Sequence, residues 1–262
     1  MAKPRLYRTE AIILREIDYG EADRILTLLT PGGQVSAIAK GVRRSTSHKV
    51  GHVDLFYRVE FMLARGRNLE VVTHAECLES YEGLRGDLLR FSYACYAGEL
   101  VWRFAQEGEE NEALYDLTTQ GLRWLAVGHD PHLWMRYFQL RLLACSGYQP
   151  ELFHCVGCGG EIRPQRNYFS FAQGGLLCPE CQPHYGDAEA VSINAQKVMR
   201  YLQTHGPSDV ENLRLKMSTL DEIEALLHGY LQYTLEREIR SVAFLRRLHG
   251  GSEAAKKGGQ RR

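Results

Sequence analysis

The chain has 262 residues, 44% hydrophobic and 24% charged, which is enough apolar material for a packed core and enough length for two or three small domains. Its 32 Lys/Arg balance 32 Asp/Glu, so total charge draws it to no polyanion, and any nucleic-acid role must rest on local distribution. The longest apolar runs, such as Ala11 to Leu14 and Leu140 to Cys145, are too short to span a bilayer, and Met-Ala-Lys-Pro-Arg opens the chain without an apolar signal segment; a cytoplasmic protein with no membrane partner is expected.

Residues 8–80 read as β structure. In Leu55 to Leu63, Leu55, Tyr57, Val59, Phe61 and Leu63 share one face, while Phe56, Arg58, Glu60 and Met62 share the other. That period of two predicts a half-buried strand. Further strands are expected at 9–17, 24–30, 34–40 and 69–76, separated by turn signals at Tyr19-Gly20, Pro31-Gly32-Gly33, Lys40-Gly41 and Arg65-Gly66-Arg67-Asn68. Five short strands, with a long interval after the third that could hold a short helix, fit an OB-fold β-barrel over 1–80.

Past residue 84 the period becomes helical. One stripe is Leu84, Leu88, Phe91, Cys95 and Leu100; a second is Leu114, Leu117, Leu122 and Leu125; a third is Leu133, Tyr137, Leu140 and Ala144. Gly147 and Pro150 end this block. Later, Ser192 is a candidate N-cap for a helix running to His205, and Thr219 with Glu222 has the form of a capping box opening a long helix to about 248. The expected fold class is therefore multidomain α+β. An OB barrel is followed by a helical-bundle domain of 81–150 and 188–250, a cysteine module at 151–187 and a disordered basic tail at 251–262.

Four of the seven cysteines form the pattern Cys155-x2-Cys158, then Cys178-x2-Cys181. A two-residue gap lets both sulfurs of one turn face one ion, and two such turns complete a tetrahedron of soft ligands. Between them Tyr168-Phe169-Ser170-Phe171 alternates and Gly174-Gly175 can turn a hairpin, giving a zinc-ribbon-like insert with one structural Zn2+. Disulfides would need an oxidising compartment, a redox dithiol would need no second pair, and a catalytic zinc would need an open position. His74-Ala75-Glu76 superficially suggests a zinc deaminase, but Leu177 stands where proline precedes the first cysteine of that signature. No phosphate-binding glycine loop, His-Glu-x-x-His or Gly-x-Ser-x-Gly is present, so no enzymatic activity is expected. Cys77, Cys95 and Cys145 lie in apolar stretches and are expected to be buried thiols.

Charge is polarised along the chain. Residues 1–80 carry 12 Lys/Arg against 10 Asp/Glu, residues 81–190 carry 8 against 14, and 249–262 carry four bases and one acid. No acid occurs between Asp23 and Asp54, an interval holding Arg24, Lys40, Arg43, Arg44 and Lys49. Cations on a Gly- and Ser-containing loop can follow successive phosphates. Arg65 and Arg67 extend the candidate DNA surface on the next loop, with Phe56 and Arg58 on the outer strand face to stack on bases. Against this stands the acidic loop Asp18 to Asp23, which would repel phosphate if it faced the same groove.

Together these residues resemble the bacterial recombination mediator RecO family. The resemblance rests on Tyr19-Gly20-Glu21-Ala22-Asp23-Arg24-Ile25-Leu26-Thr27-Leu28-Leu29-Thr30, Gly33 and Ala39-Lys40-Gly41-Val42-Arg43-Arg44. It continues in Gly147-Tyr148-Gln149-Pro150, Cys155-Val156-Gly157-Cys158-Gly159 and Gly174-Gly175-Leu176-Leu177-Cys178. It implies a nucleoid-associated, non-enzymatic protein that binds single- and double-stranded DNA and anneals complementary strands. It also implies pairing with RecR, docking of the acidic C-terminal tail of single-strand binding protein, and help in loading RecA. By that match Lys40, Arg43 and Arg44 are DNA contacts. A candidate tail-docking stripe is Arg136, Tyr137, Arg141 and Leu142, because an acidic, apolar tail needs a cation beside a groove. The alternative is a zinc-ribbon adaptor binding RNA or protein partners in transcription or translation.

Overall fold

The structure, a computed structural model, describes residues 5–44, 47 and 51–236. Lys49, the end of the long helix and the 251–262 tail lie outside the described residues. The chain forms two compact units. One holds the chain to Gln149 together with Tyr201–Lys216, and the other holds Pro150–Arg200 and the chain from Met217. The helices expected to form one domain with 188–250 are thus shared between the units.

In the first unit, β1 (Leu6–Tyr19), β2 (Asp23–Thr30), β3 (Gly33–Ala39), β4 (Arg58–Ala64) and β5 (Glu70–Glu79) close into a barrel of order β1-β2-β3-β5-β4. All neighbours are antiparallel except β3 and β5. This is the expected OB-like barrel. Its interior is filled by Ala11, Ile13, Leu26, Leu28, Val59, Phe61, Leu63 and Val72; each large apolar side chain so buried contributes about 1.5–3 kcal/mol. In β1 the run Ala11 to Leu14 is buried throughout. Helix packing covers the outer face of β1 there, which explains why the run does not alternate.

Three helices follow: α1 (Leu88–Phe104), α2 (Glu112–Val127) and α3 (Pro131–Cys145). Each starts at a side chain that accepts orphan N–H groups: Asp87 from Leu89 and Arg90, Asn111 from Leu114, Asp130 from His132. The interval 40–57 contains turns and no helix among its described residues.

The second unit carries a sheet of order β7-β6-β8, made of β6 (Asn167–Ser170), β7 (Gly175–Leu177) and β8 (Ala188–Val191). Asp187 fixes the hairpin by accepting from Ser170 Oγ at 3.0 Å and Ala172 N at 2.8 Å. Helix α4 (Ile193–Thr204) follows, its last turn belonging to the first unit. Residues 217–236 are also helical. Phe169, Leu176, Val191, Met199, Ile223 and Leu227 are buried, with Tyr230 edge-on to Phe169 at 5.4 Å. Ser192 does cap α4, accepting from Ala195 N at 3.1 Å. Glu222, expected to cap its own helix with Thr219, instead accepts from both the backbone N–H and the hydroxyl of Ser192, each at 2.7 Å.

Several expected faces are corrected. The β4 alternation begins at Arg58, because Phe56 adopts φ 64° in a turn where Tyr57 N donates to Asp54 O at 3.1 Å. Leu84 and Leu100 are buried as expected, and the inward face of α1 is completed by Ala94, Ala97, Gly98, Val101 and Phe104, while Leu88 is 82% exposed and Cys95 is exposed. Glycine stands at position 98 because Phe56 fills the space against it: a Cβ there would lie 2.8 Å from Phe56 Cε1. Cys77 and Cys145 are half-buried rather than buried.

Candidate metal centre and nucleic-acid interface

The Sγ atoms of Cys155, Cys158, Cys178 and Cys181 all lie within 4.8 Å of one another. Two reverse turns place them. In the first, Gly159 N donates to Cys155 O at 2.8 Å and Cys155 N to Gly160 O at 2.7 Å; in the second, Cys181 N and Gln182 N both donate to Cys178 O at 3.1 Å. The turns are tied together where Cys178 N donates to Cys155 Sγ at 3.3 Å and Val156 N to Leu176 O at 2.9 Å. Gly157 packs closely between them, since a Cβ there would sit 3.0 Å from Cys181 Cβ and 3.1 Å from its Sγ.

The approach to the first turn is braced as well. Glu151 accepts from Phe153 N at 2.7 Å and His154 N at 2.9 Å. Arg200 donates to Leu152 O at 2.7 Å and stacks over Phe153 at 5.2 Å. Burial alone would raise the Cys155 thiol, but N–H groups of Cys178, Cys158 and Gly157 directed at its sulfur bring its pKa down to about 6. The Cys181 thiol is pushed up to about 12, chiefly by its hydrogen bond with Cys178. Four soft donors, converging, with N–H groups already aimed at a thiolate, fit one metal ion with every coordination position filled. His74 of the deaminase-like triplet lies exposed on β5.

The barrel places the basic residues at two clefts. At one, the chain leaving β3 meets the β1–β2 hairpin: Arg43 N donates to Ala22 O at 3.0 Å and Gly41 N to Asp23 Oδ1 at 2.7 Å. Lys40, Arg43 and Arg44 are exposed here. Arg24 and Arg43 line a cavity of 490 Å³ together with Val42, Asp54 and Tyr57. The acidic hairpin does face this groove. Arg24 Nη1 lies 2.9 Å from Glu16 and its Nε 3.0 Å from Asp18, while Arg43 Nη2 lies 3.3 Å from Asp18. At the second cleft, Arg67 lines a 220 Å³ cavity with Gln34, Ser36 and Glu107. Arg65 pairs with Glu70 at 3.8 Å and covers the Tyr7 ring at 4.9 Å.

Three expectations fail on geometry. Phe56 is only 3% exposed and packs edge-on against Phe91 at 5.8 Å, so it offers no face to a base. Arg58 is held by Glu10 at 2.8 Å and Glu79 at 3.5 Å. Those carboxylates also bind Tyr115 and Arg123 of α2, so Arg58 ties the barrel to the helices instead of facing solvent. The stripe on α3 is core: Arg136 is 1%, Tyr137 5% and Leu142 0% exposed. Arg136 donates to Gln139 at 2.8 Å, and Arg141 donates to the carbonyls of Gln203 and His205, each at 3.1 Å. The residues missed in the sequence are Glu16 and Asp18 as direct partners of Arg24 and Arg43. Tyr57, covered by Arg85 at 4.5 Å, was also missed. Their signal was the acidic hairpin itself, but its neighbour in space could not be read from its neighbours in sequence.

Among the described residues no helix is long and apolar enough to cross a membrane. Residues 1–81 match the family model for the recombination protein O N terminal, and residues 85–243 that for the recombination protein O C terminal. Similar curated proteins are each named DNA repair protein RecO. That of Roseiflexus sp. is 43% identical across 93% of this chain and 86% of its own length. That of Desulforudis audaxviator is 40% identical across 92% and 97%, and that of Dehalococcoides mccartyi (strain BAV1) 37% across 94% and 97%. Matches that span both units in sequence, with an OB-like barrel and the four-cysteine module in the expected order, show that the chain belongs to the RecO family.

Proposed function

We propose that this protein is a DNA-binding mediator of recombinational repair, with the 1–80 barrel as its DNA-binding domain. The observation that carries the reading is the group of cations around the 490 Å³ cleft of the barrel, where Lys40, Arg43 and Arg44 are exposed on one short segment. Cations of this kind contact phosphates and read no sequence. Arg24 stands at the base of the same cleft, and Arg65 and Arg67 would extend the path along the next loop. Lys49, outside the described residues, belongs to the same proposal on sequence grounds alone.

Such a surface suits annealing. Two complementary strands repel through their phosphates, and neutralising several of them lowers the barrier to pairing without preference for sequence. The four cysteines, with no coordination position left for water, would hold Zn2+ as a structural ion, and no catalytic role is assigned to any residue. Membership of the family supports RecR, the tail of single-strand binding protein and, indirectly, RecA as partners, and a cytoplasmic location. Because Arg136, Tyr137 and Leu142 are buried, this reading assigns that tail no site on α3.

The test mixes complementary oligonucleotides, one labelled, with and without the protein. Acceleration of annealing at low salt that fades as salt rises is expected. Binding of neither single- nor double-stranded DNA at low salt, with no acceleration, would overturn the reading.

A further inference from the structure

The two arginines of the barrel cleft are not bare. One carboxylate, that of Asp18, clamps both: its Oδ1 lies 3.0 Å from Arg24 Nε and its Oδ2 3.3 Å from Arg43 Nη2. Glu16 holds the other side of Arg24 at 2.9 Å, and Arg43 also donates to Gly20 O at 3.4 Å. Two oxygens on one centre, each accepting from a different guanidinium, is the arrangement a backbone phosphate would make with the same pair. Asp18 remains half exposed, at 53% for its side chain, at the end of β1 beside the hairpin. It can therefore swing into solvent without unpacking anything.

We propose that Asp18 occupies, in the free protein, the position of one nucleic-acid phosphate between Arg24 and Arg43, and that a bound single strand displaces it. The inference rests on the barrel cleft being the DNA surface. It explains why an acidic hairpin is built against a basic groove. The carboxylate keeps both guanidiniums aimed at one point in the absence of DNA, and by competing for them it limits how tightly a strand is held. Exposed ion pairs of this kind are weak, so exchange with a phosphate is readily reversible. A strand held this way can be released for pairing.

The test is titration of a labelled single-stranded oligonucleotide over a range of salt, with wild type, Asp18→Asn and Asp18→Ser. Each substitution removes the competing charge, and Asn preserves shape. Binding roughly three- to tenfold tighter at low salt is expected, with a salt slope steeper by about 0.7 for one additional phosphate neutralised. Measured against Arg43→Ala alone, adding Asp18→Asn should give a clearly smaller gain than it gives in wild type, which separates local competition from a change in net charge. Equal or weaker binding by both Asp18 variants, with wild type binding normally, would overturn the inference and leave the barrel as the DNA surface. A gain that is undiminished in the Arg43→Ala background would overturn it too. Failure of wild type itself to bind would remove both readings together.

Discussion

At Phe56 the backbone lies in the left-handed region, with φ 64°, where a bulky side chain is strained. The ring is thereby turned inward onto Phe91, and Gly98 leaves room for it. This aromatic serves packing between barrel and α1. Phe56→Ala should lower unfolding stability by about 3–5 kcal/mol, measured by urea denaturation, and leave single-strand affinity of the folded protein unchanged. A selective loss of DNA affinity with full stability would contradict the packing role. Arg136 gives the same lesson on α3: its charge is buried and bonded to Gln139, so it belongs to the architecture of that helix. In both cases the residue type suggested a surface function, and only the neighbours in space showed otherwise.

Among the elements, the cysteine turns are the ones that a bound metal ion would stabilise most. They are held by a few hydrogen bonds and by the small residue Gly157 between them. A tetrahedral ion joining both turns supplies an apparent stabilisation of order 10–16 kcal/mol in isolated zinc peptides. Chelation at neutral pH should therefore loosen residues 150–187, seen as new proteolytic cleavage there, while the barrel stays resistant and the stripped protein keeps its affinity for single strands. Unchanged cleavage after the metal is shown to be removed would contradict this. Acid should act in the same direction. Thiolates must protonate as metal is lost. The Glu151 carboxyl, raised by burial but lowered further by the N–H groups of His154 and Phe153, sits below its usual value of 4.5. A folded pKa below the unfolded one gives a contribution that is complete above the usual value and lost as pH falls through the lowered one.

How legible each element was follows from what encodes it. The β strands alternate because one face of a barrel strand meets the core, and that pattern survives in the sequence of Val59, Phe61 and Leu63. The convergence of Cys155, Cys158, Cys178 and Cys181 was legible because their paired spacing is the one that a shared ion would require. The inward face of α1 was not, since Leu88 and Leu89 look like core residues until the helix is seen to start at that point, with both side chains exposed. Nor was the partner of Glu222, which lies thirty positions back at Ser192. The barrel's cations were legible as a cluster along the chain, but their pairing with Glu16 and Asp18 depends on how the hairpin folds back over the chain leaving β3.

For the whole molecule, charge is arranged by region, even though the 32 cations and 32 anions cancel. The barrel sequence is mildly basic, while residues 81–190 carry 14 acids against 8 bases. A strand should therefore track the barrel, and the acidic part of the chain is better suited to protein partners than to DNA. The most direct check is a salt titration of single-stranded DNA binding by wild type and by a Lys40→Ala, Arg43→Ala, Arg44→Ala triple variant. Wild type should bind with a log–log salt slope of about −3, the value for roughly four phosphates neutralised on a single strand, and the variant should lose most of both affinity and slope. A variant that binds with the wild-type affinity and slope would show that DNA lies elsewhere on the molecule.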